Sequence, residues 1–227
     1  VRLVGSEMCI RDRSYTLSDE ITVQLGVPQG SILGPTLFLI FVNDLSKRLN
    51  NLCQFADDTS CVAVASSIVD LSKKSNNIIR IMSEWCSDNA LLLNATKTNL
   101  LVFHKNFNCK MQSLLVFANK KPVVNSTYAK FLGLHIDQNL NWEQHIKSVN
   151  LKVNRGSYIL RYMNNHLSVS NLKSFYFAYV QSVLSYAIIF WGSSTMFPSV
   201  FVAQKRALRA MLHLKRTISC KQYFKDL

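Results

Sequence analysis

Two adjacent carboxylates, Asp57 and Asp58, separate short apolar segments at Leu52–Ala56 and Thr59–Ala65. That pattern reads as a β-hairpin with a two-carboxylate tip. Side chains on a regular strand alternate faces, so neighbouring acids converge on one point only at a turn. Held together they repel, and a cation relieves the repulsion. The hard cation that prefers oxygen, and commonly takes one or two carboxylates plus substrate phosphates, is Mg²⁺. The plainer reading is a turn whose two acids face water.

A second signal lies upstream, in Gly26-Val27-Pro28-Gln29-Gly30-Ser31. Two glycines and a proline so close together specify a fixed, non-repetitive backbone. Ser31 is the expected cap of the helix that follows, with Gly34-Pro35 at its start. Thr36–Leu49 is apolar on every side at first and then polar from Asn43, which predicts a buried helix.

The elements that must position these residues follow in order. Ser14–Leu25 alternates loosely and reads as a hairpin or two edge strands. Ser67–Leu92 carries Ile68, Leu71, Ile78, Ile79, Met82 and Trp85 at helical spacing and predicts an amphipathic helix. Asn99–His104, Met111–Phe117 and Phe131–Ile136 are expected as strands of a small antiparallel sheet. Beyond Asp137 strand signals vanish, and Trp142–Asn164, Val169–Trp191 and Ser199–Lys215 read as three helices. The fold class is therefore α+β, with a change of texture near Asn139–Trp142.

Charge changes at the same place. The chain of 227 residues has a net charge of +13. From Trp142 onward there are twelve basic residues and two acidic ones, Glu143 and Asp226, so most of the excess sits in the last third. Such a block attracts polyanions or an anionic membrane surface, or forms a solvated face with no partner. The six cysteines show no metal-ligand spacing, which argues against a disulfide framework or structural zinc and fits a reducing compartment. Phe175–Trp191 is uncharged over 17 residues, at the short limit for a membrane span, but contains Gln181, Ser182 and Ser185 and reads better as a buried helix. Val1–Arg13 has no signal-peptide pattern and reads as a non-native leader of the kind left by translated adapter sequence, a natural extension being the alternative.

Gly26–Leu45 (GVPQGSILGPTLFLIFVNDL) followed by Phe55–Thr59 (FADDT) resembles the reverse transcriptases of non-LTR, LINE-type retrotransposons, nearest the Jockey-like group. The resemblance continues through Trp85…Asn89…Leu93-Asn94…Lys97-Thr98. It runs on through Phe131-Leu132-Gly133-Leu134-His135-Ile136-Asp137…Trp142…His145-Ile146 and Leu184-Ser185-Tyr186…Trp191-Gly192.

The resemblance implies RNA-directed DNA polymerase chemistry: a DNA primer is extended on an RNA template with deoxynucleoside triphosphates, by two-metal phosphoryl transfer. Residues 14–139 would be part of a palm and residues 140–227 a basic, mostly helical thumb-like region. Asp57, and after it Asp58, would hold the Mg²⁺ ions, or Mn²⁺ in their stead. Pro28, Gln29, Gly30 and Ser31, with Phe55 and Ala56, would lie beside nucleotide and template; Gln29 alternatively only pins its own turn. Lys97 would protonate the leaving pyrophosphate, or simply be a solvated lysine at a strand start. Phe131, Leu132 and Gly133 would form the primer grip, or serve as core. Arg155, Arg161, Lys205, Arg206 and Arg209 would follow the nucleic-acid backbone.

No small-molecule cofactor and no membrane partner is expected, and the resemblance is compatible with nuclear and cytoplasmic sites of action. It also implies a third metal-binding aspartate on an earlier strand and fingers before that, for which Asp12 and Asp19 are no substitutes. The expectation is a polymerase-derived polypeptide inactive on its own; the alternative is a non-catalytic nucleic-acid-binding remnant.

Overall fold

Helix α1 (Gly34–Val42) carries Pro35 in its first turn, where a missing N–H costs no hydrogen bond. In the computed structural model, which describes residues 30–103, 114–118 and 121–225, the chain forms two compact units. The first is Val1–Ala95 with Leu114–Val123; the second is Thr96–Ser113 with Val124–Leu227. The expected hairpin at Ser14–Leu25 lies outside the described residues.

In the first unit α1 differs from expectation in three ways. The cap position is Leu33, not Ser31, and no side chain closes it. The helix ends at Val42, and after a turn at Asn43-Asp44 the short α2 (Leu45–Arg48) follows. The apolar run is also not buried all round: Val42 and Leu45 are buried, whereas Leu37, Leu39, Ile40 and Phe41 are exposed.

The hairpin β1 (Leu52–Phe55) and β2 (Asp58–Cys61) comes next. It leads to α3 (Ile68–Asp88), started by Ser67, whose hydroxyl accepts from the Asp70 N–H at 3.1 Å. One face of α3 supplies Ile78, Ile81, Met82 and the buried Trp85 to a core shared with Val42, Leu45 and Leu49.

Next in the chain, β3 (Asn99–Leu100) belongs to the second unit, while β4 (Phe117–Ala118) and β5 (Lys121–Pro122) return to the first. There the Asn76 side chain of α3 accepts from the Phe117 N–H at 3.1 Å and donates to the Leu115 carbonyl at 3.0 Å. The expected single antiparallel sheet is replaced, among the described residues, by four two-stranded pairs. One of them, β3 with β6 (Val124–Asn125), is parallel. The strands expected at Asn99–His104 and Met111–Phe117 shrink to two residues each in the described part, and residues 104–113 lie outside it.

After β6 the second unit continues with the hairpin β7 (Tyr128–Phe131) and β8 (Leu134–Asp137). Phe131–Ile136 is thus not one strand, because the chain reverses at Leu132-Gly133. Helix α4 (Glu143–Met163) begins at Trp142, which has φ 64° and no capping side chain. The first helical N–H, of Glu143, is instead accepted by the Asn141 side chain at 3.1 Å, and the loop before it is organised by the buried Asp137. Its carboxylate accepts from the N–H groups of Asn139 and Asn141 at 3.1 Å and of Trp142 at 2.7 Å.

The expected helix Val169–Trp191 is broken. It runs as α5 (Val169–Phe175), a π-helical segment at Tyr176–Gln181, α6 (Ser182–Ser185) and, beyond Ala187 at φ 51°, α7 (Ile188–Trp191). Among the described residues no helix is long and apolar enough to cross a membrane. Helix α8 (Phe197–Met211) packs along α4, and Asn164 caps its end by donating to the carbonyls of Ala210 and Met211 at 2.8 and 2.9 Å. Ile146, Val153, Leu160, Leu172, Tyr176, Trp191 and Leu208 are fully enclosed in this core. Leu134 joins it, so packing unites residues on both sides of the charge boundary near Asn139–Trp142.

Candidate functional site

Pairing of Phe55 with Asp58 and of Gln54 with Thr59 leaves Ala56 and Asp57 as a two-residue loop. The tip is therefore shifted by one residue from the expected Asp57-Asp58, and Asp58 opens β2. Ala56 has φ 51°, as the first loop position of a primed hairpin turn requires. An L-residue there costs about 1–2 kcal/mol, which the surrounding ladder must hold in place. Gln54 adds a bond from its side-chain amide to the Val42 carbonyl at 3.5 Å.

Both carboxylates are exposed. Neither side chain bonds or pairs with another described residue. No group of three or more His, Cys, Asp or Glu gathers among the described residues. Two exposed carboxylates with no competing partner among the described residues fit a Mg²⁺ ion that keeps waters and takes substrate phosphates, and do not fit a closed protein cage. Gly30 has φ 88° with open space where a side chain would stand, and the Ser31 hydroxyl is enclosed with no described partner. Pro28 and Gln29 lie outside the described residues. Phe55 is exposed at the loop's edge.

In the second unit Lys97 is exposed in the turn before β3, and its carbonyl accepts from the Asn99 side chain at 3.3 Å. The loop Leu132-Gly133 has φ 45° and 85°, positive at both positions as in a type I′ turn. The Tyr186 hydroxyl donates to the Leu132 carbonyl. Its ring lies 3.6 Å from where a side chain on Gly133 would begin. Trp191 in turn donates its indole N–H to the Tyr186 carbonyl at 3.0 Å. Two separate sequence blocks thus converge on one strained turn. Tyr186 was not among the expected site residues, although its place in the Leu184-Ser185-Tyr186…Trp191 pattern was the available signal.

Four of the five candidate backbone-binding cations, Arg161, Lys205, Arg206 and Arg209, line one cleft of about 670 Å³ with Lys215 and Arg216. Among the described residues no carboxylate lines it. The ion pairs among the described residues are Arg48–Asp88, Arg80–Glu84 and Lys147–Glu143, none of them in the cleft. Arg209 is oriented by donating to the Ile218 carbonyl at 3.0 Å, and the Lys205 ammonium stands 4.4 Å over the Phe201 ring. Lys215 and Arg216 escaped the sequence reading because the helix was expected to run to Lys215. It ends at Met211, and the chain turns back. Arg155 does not line the cleft; it is exposed on α4.

Residues 7–136 match the reverse transcriptase (RNA-dependent DNA polymerase) family, and the chain belongs to it. Its relatives give the type: it is a reverse transcriptase domain like those of non-LTR retrotransposon polymerases. It is 26% identical over 206 residues to a probable RNA-directed DNA polymerase from transposon BS of Drosophila melanogaster, covering 83% of this chain and 22% of that protein. Against the RNA-directed DNA polymerase from mobile element jockey of Drosophila funebris it is 27% identical over 202 residues, 82% of this chain and 22% of the relative. A retrovirus-related Pol polyprotein from type-1 retrotransposable element R1 of Nasonia vitripennis is 25% identical over 212 residues, 86% of this chain and 62% of the relative. The chain spans about a fifth of the length of the first two. No solved structure matches.

Proposed function

We propose that this chain is the part of an RNA-directed DNA polymerase that carries the Asp57-Asp58 metal site, the primer-grip turn and a nucleic-acid-binding thumb. The observation that carries the reading is the exposed carboxylate pair, without a partner among the described residues, in which Asp57 closes a two-residue loop with Ala56 at φ 51° and Asp58 opens the returning strand.

Asp57, with Asp58 beside it, would hold Mg²⁺. The bound ions would neutralise charge on the triphosphate and ease loss of the primer hydroxyl's proton. The chain's own part is positioning. Gly30, in a left-handed conformation, allows backbone to approach a nucleotide closely, and Ser31 and Phe55 border the same task. Pro28 and Gln29 would complete that turn, Gln29 offering both a donor and an acceptor to template or nucleotide. Lys97 would give a proton to the departing pyrophosphate. Phe131, Leu132 and Gly133 would steady the primer end. The cleft cations would follow phosphates of template and primer, with Arg155 on the outer face of α4. Residues 14–139 act in this reading as palm and residues 140–227 as thumb.

Two carboxylates leave a pair of metal ions short of protein ligands, so a polypeptide of residues 1–227 alone is proposed to bind without extending a primer. Primer extension on oligo-dT/poly-A with Mg²⁺ or Mn²⁺ tests this: no incorporation is expected, and robust incorporation abolished by Asp57→Ala overturns it. The second reading, a non-catalytic nucleic-acid binder, is favoured by the cleft, whose described lining is basic and holds no carboxylate. Hybrid binding that Mg²⁺ strengthens in wild type but not in Asp57→Asn supports the first reading. Salt-dependent binding indifferent to both supports the second.

A further inference from the structure

Helix α4 has two faces. Ile146, Val149, Val153, Gly156 and Leu160 are buried in the core. Leu151, Arg155, Tyr158 and Tyr162, spaced by four, three and four residues, form one stripe on the opposite side. Tyr158 is 72% exposed and Tyr162 69%. Neither hydroxyl bonds to a described residue, and the Tyr162 ring leans on His166 at 5.7 Å. Arg155, on the same stripe, makes no ion pair to any described residue, and Arg161, a quarter turn away, lines the cleft. The helix's one carboxylate, Glu143, sits a full helix length away in the first turn, paired with Lys147 at 2.6 Å.

A single exposed tyrosine needs no explanation. Two rings one helical turn apart, their Cβ atoms about 6 Å from each other and with Arg155 on the same stripe, make a different surface. Every base has a π face, so flat aromatic groups beside cations hold an unpaired strand whatever its sequence. A paired hybrid keeps its bases inside, leaving such rings nothing to stack on. The face is too sparse in aliphatic side chains, and too basic, to suit an apolar helix of another protein.

We propose that the outer face of α4 binds single-stranded nucleic acid, Tyr158 and Tyr162 stacking on successive bases while Arg155 holds an adjoining phosphate. This rests on the nucleic-acid reading above and extends it to a ligand that the cleft, which meets only phosphates, does not single out.

The test is anisotropy titration of the full 227-residue chain with three probes of equal length: an oligo-dT strand, the same strand with abasic sites, and an RNA–DNA hybrid. Wild type is expected to bind the base-bearing strand about tenfold more tightly than the abasic one. Y158A/Y162A should erase that difference, Y158F/Y162F should keep it, and hybrid affinity should stay the same in all three proteins. Equal binding of intact and abasic strands by wild type overturns the proposal without recourse to any variant. So does a preference that survives Y158A/Y162A, or a loss that falls equally on the hybrid. If wild type binds the hybrid but treats the two strands alike, only this inference fails. If it binds none of the probes, the nucleic-acid reading fails with it.

Discussion

The indole N–H of Trp85 donates to Oδ1 of Asp44 at 2.9 Å, joining two residues 41 positions apart. Trp85 is 2% exposed and anchors the core of the first unit. Asp44 ends the Gly26–Leu45 block and Trp85 opens the next one, so an acid that sequence inspection could take for a metal ligand has a structural partner. Asp44→Ala leaves a buried donor unpaired and is expected to cost about 1–3 kcal/mol in urea unfolding, while Asp44→Asn, which keeps an acceptor oxygen, loses less. Equal midpoints for wild type and Asp44→Ala would show that the bond contributes nothing.

Burial lowers the pKa of His145 from 6.5 to about 4, with the nearby His135 and Lys152 adding to the effect. Its Nδ1 accepts from the His135 backbone N–H at 3.4 Å, which only a neutral ring can do. The unfolded chain gains its proton near pH 6.5 and the folded chain only near 4. This contribution to stability is therefore full above pH 6.5 and drains away as pH falls toward 4, by at most roughly 1.4 kcal/mol per pH unit. His145→Gln is expected to lose that slope, so the wild-type-minus-variant difference in unfolding free energy falls as pH drops from 6.5 toward 4; parallel curves would contradict it.

Gly156 lets α4 approach the π-helical segment. A Cβ there would stand 2.8 Å from Cγ2 of the buried Val180 and 3.1 Å from the Tyr179 ring. Gly156→Ala is expected to destabilise the second unit by about 1–3 kcal/mol despite the better helix propensity of alanine. A thermal melt reads the sign directly, and a variant more stable than wild type would mean that the neighbours repack freely.

Tyr186→Phe removes the hydroxyl that holds the Leu132 carbonyl and leaves the ring in place. Faster amide exchange confined to β7, its turn and β8 is expected, with a global loss of about 0.5–1.5 kcal/mol at most because the site is half open to water. Unchanged exchange in that hairpin would remove Tyr186 as its support.

Much of this architecture was legible where local rules dominate. The long amphipathic α3, the hairpin around the aspartates and the helix α4 all follow from spacing. Register is harder: apolar runs announced β1 and β2, but only the pairing of Phe55 with Asp58 decides that Ala56-Asp57 forms the loop. Leu132-Gly133 looked like mid-strand because its neighbours are apolar, although Gly133 was the signal for a turn. Ala187 gave no signal at all, since nothing about alanine announces φ 51°. The parallel pairing of β3 and β6 joins segments too far apart for periodicity to relate. The charge excess of the last third was plain, whereas the convergence of Lys215 and Arg216 on Arg161 required the chain to leave α8 and turn back.

Helix α1 turns Leu37, Leu39, Ile40 and Phe41 outward on a molecule whose net charge is +13. Mutual repulsion between copies keeps those oily side chains apart in dilute buffer. Added electrolyte shortens the reach of that repulsion and strengthens adhesion between greasy surfaces. A salt titration of the proposed phosphate contacts therefore also drives the protein toward clumping. A salt series on this chain needs a light-scattering trace beside every binding curve.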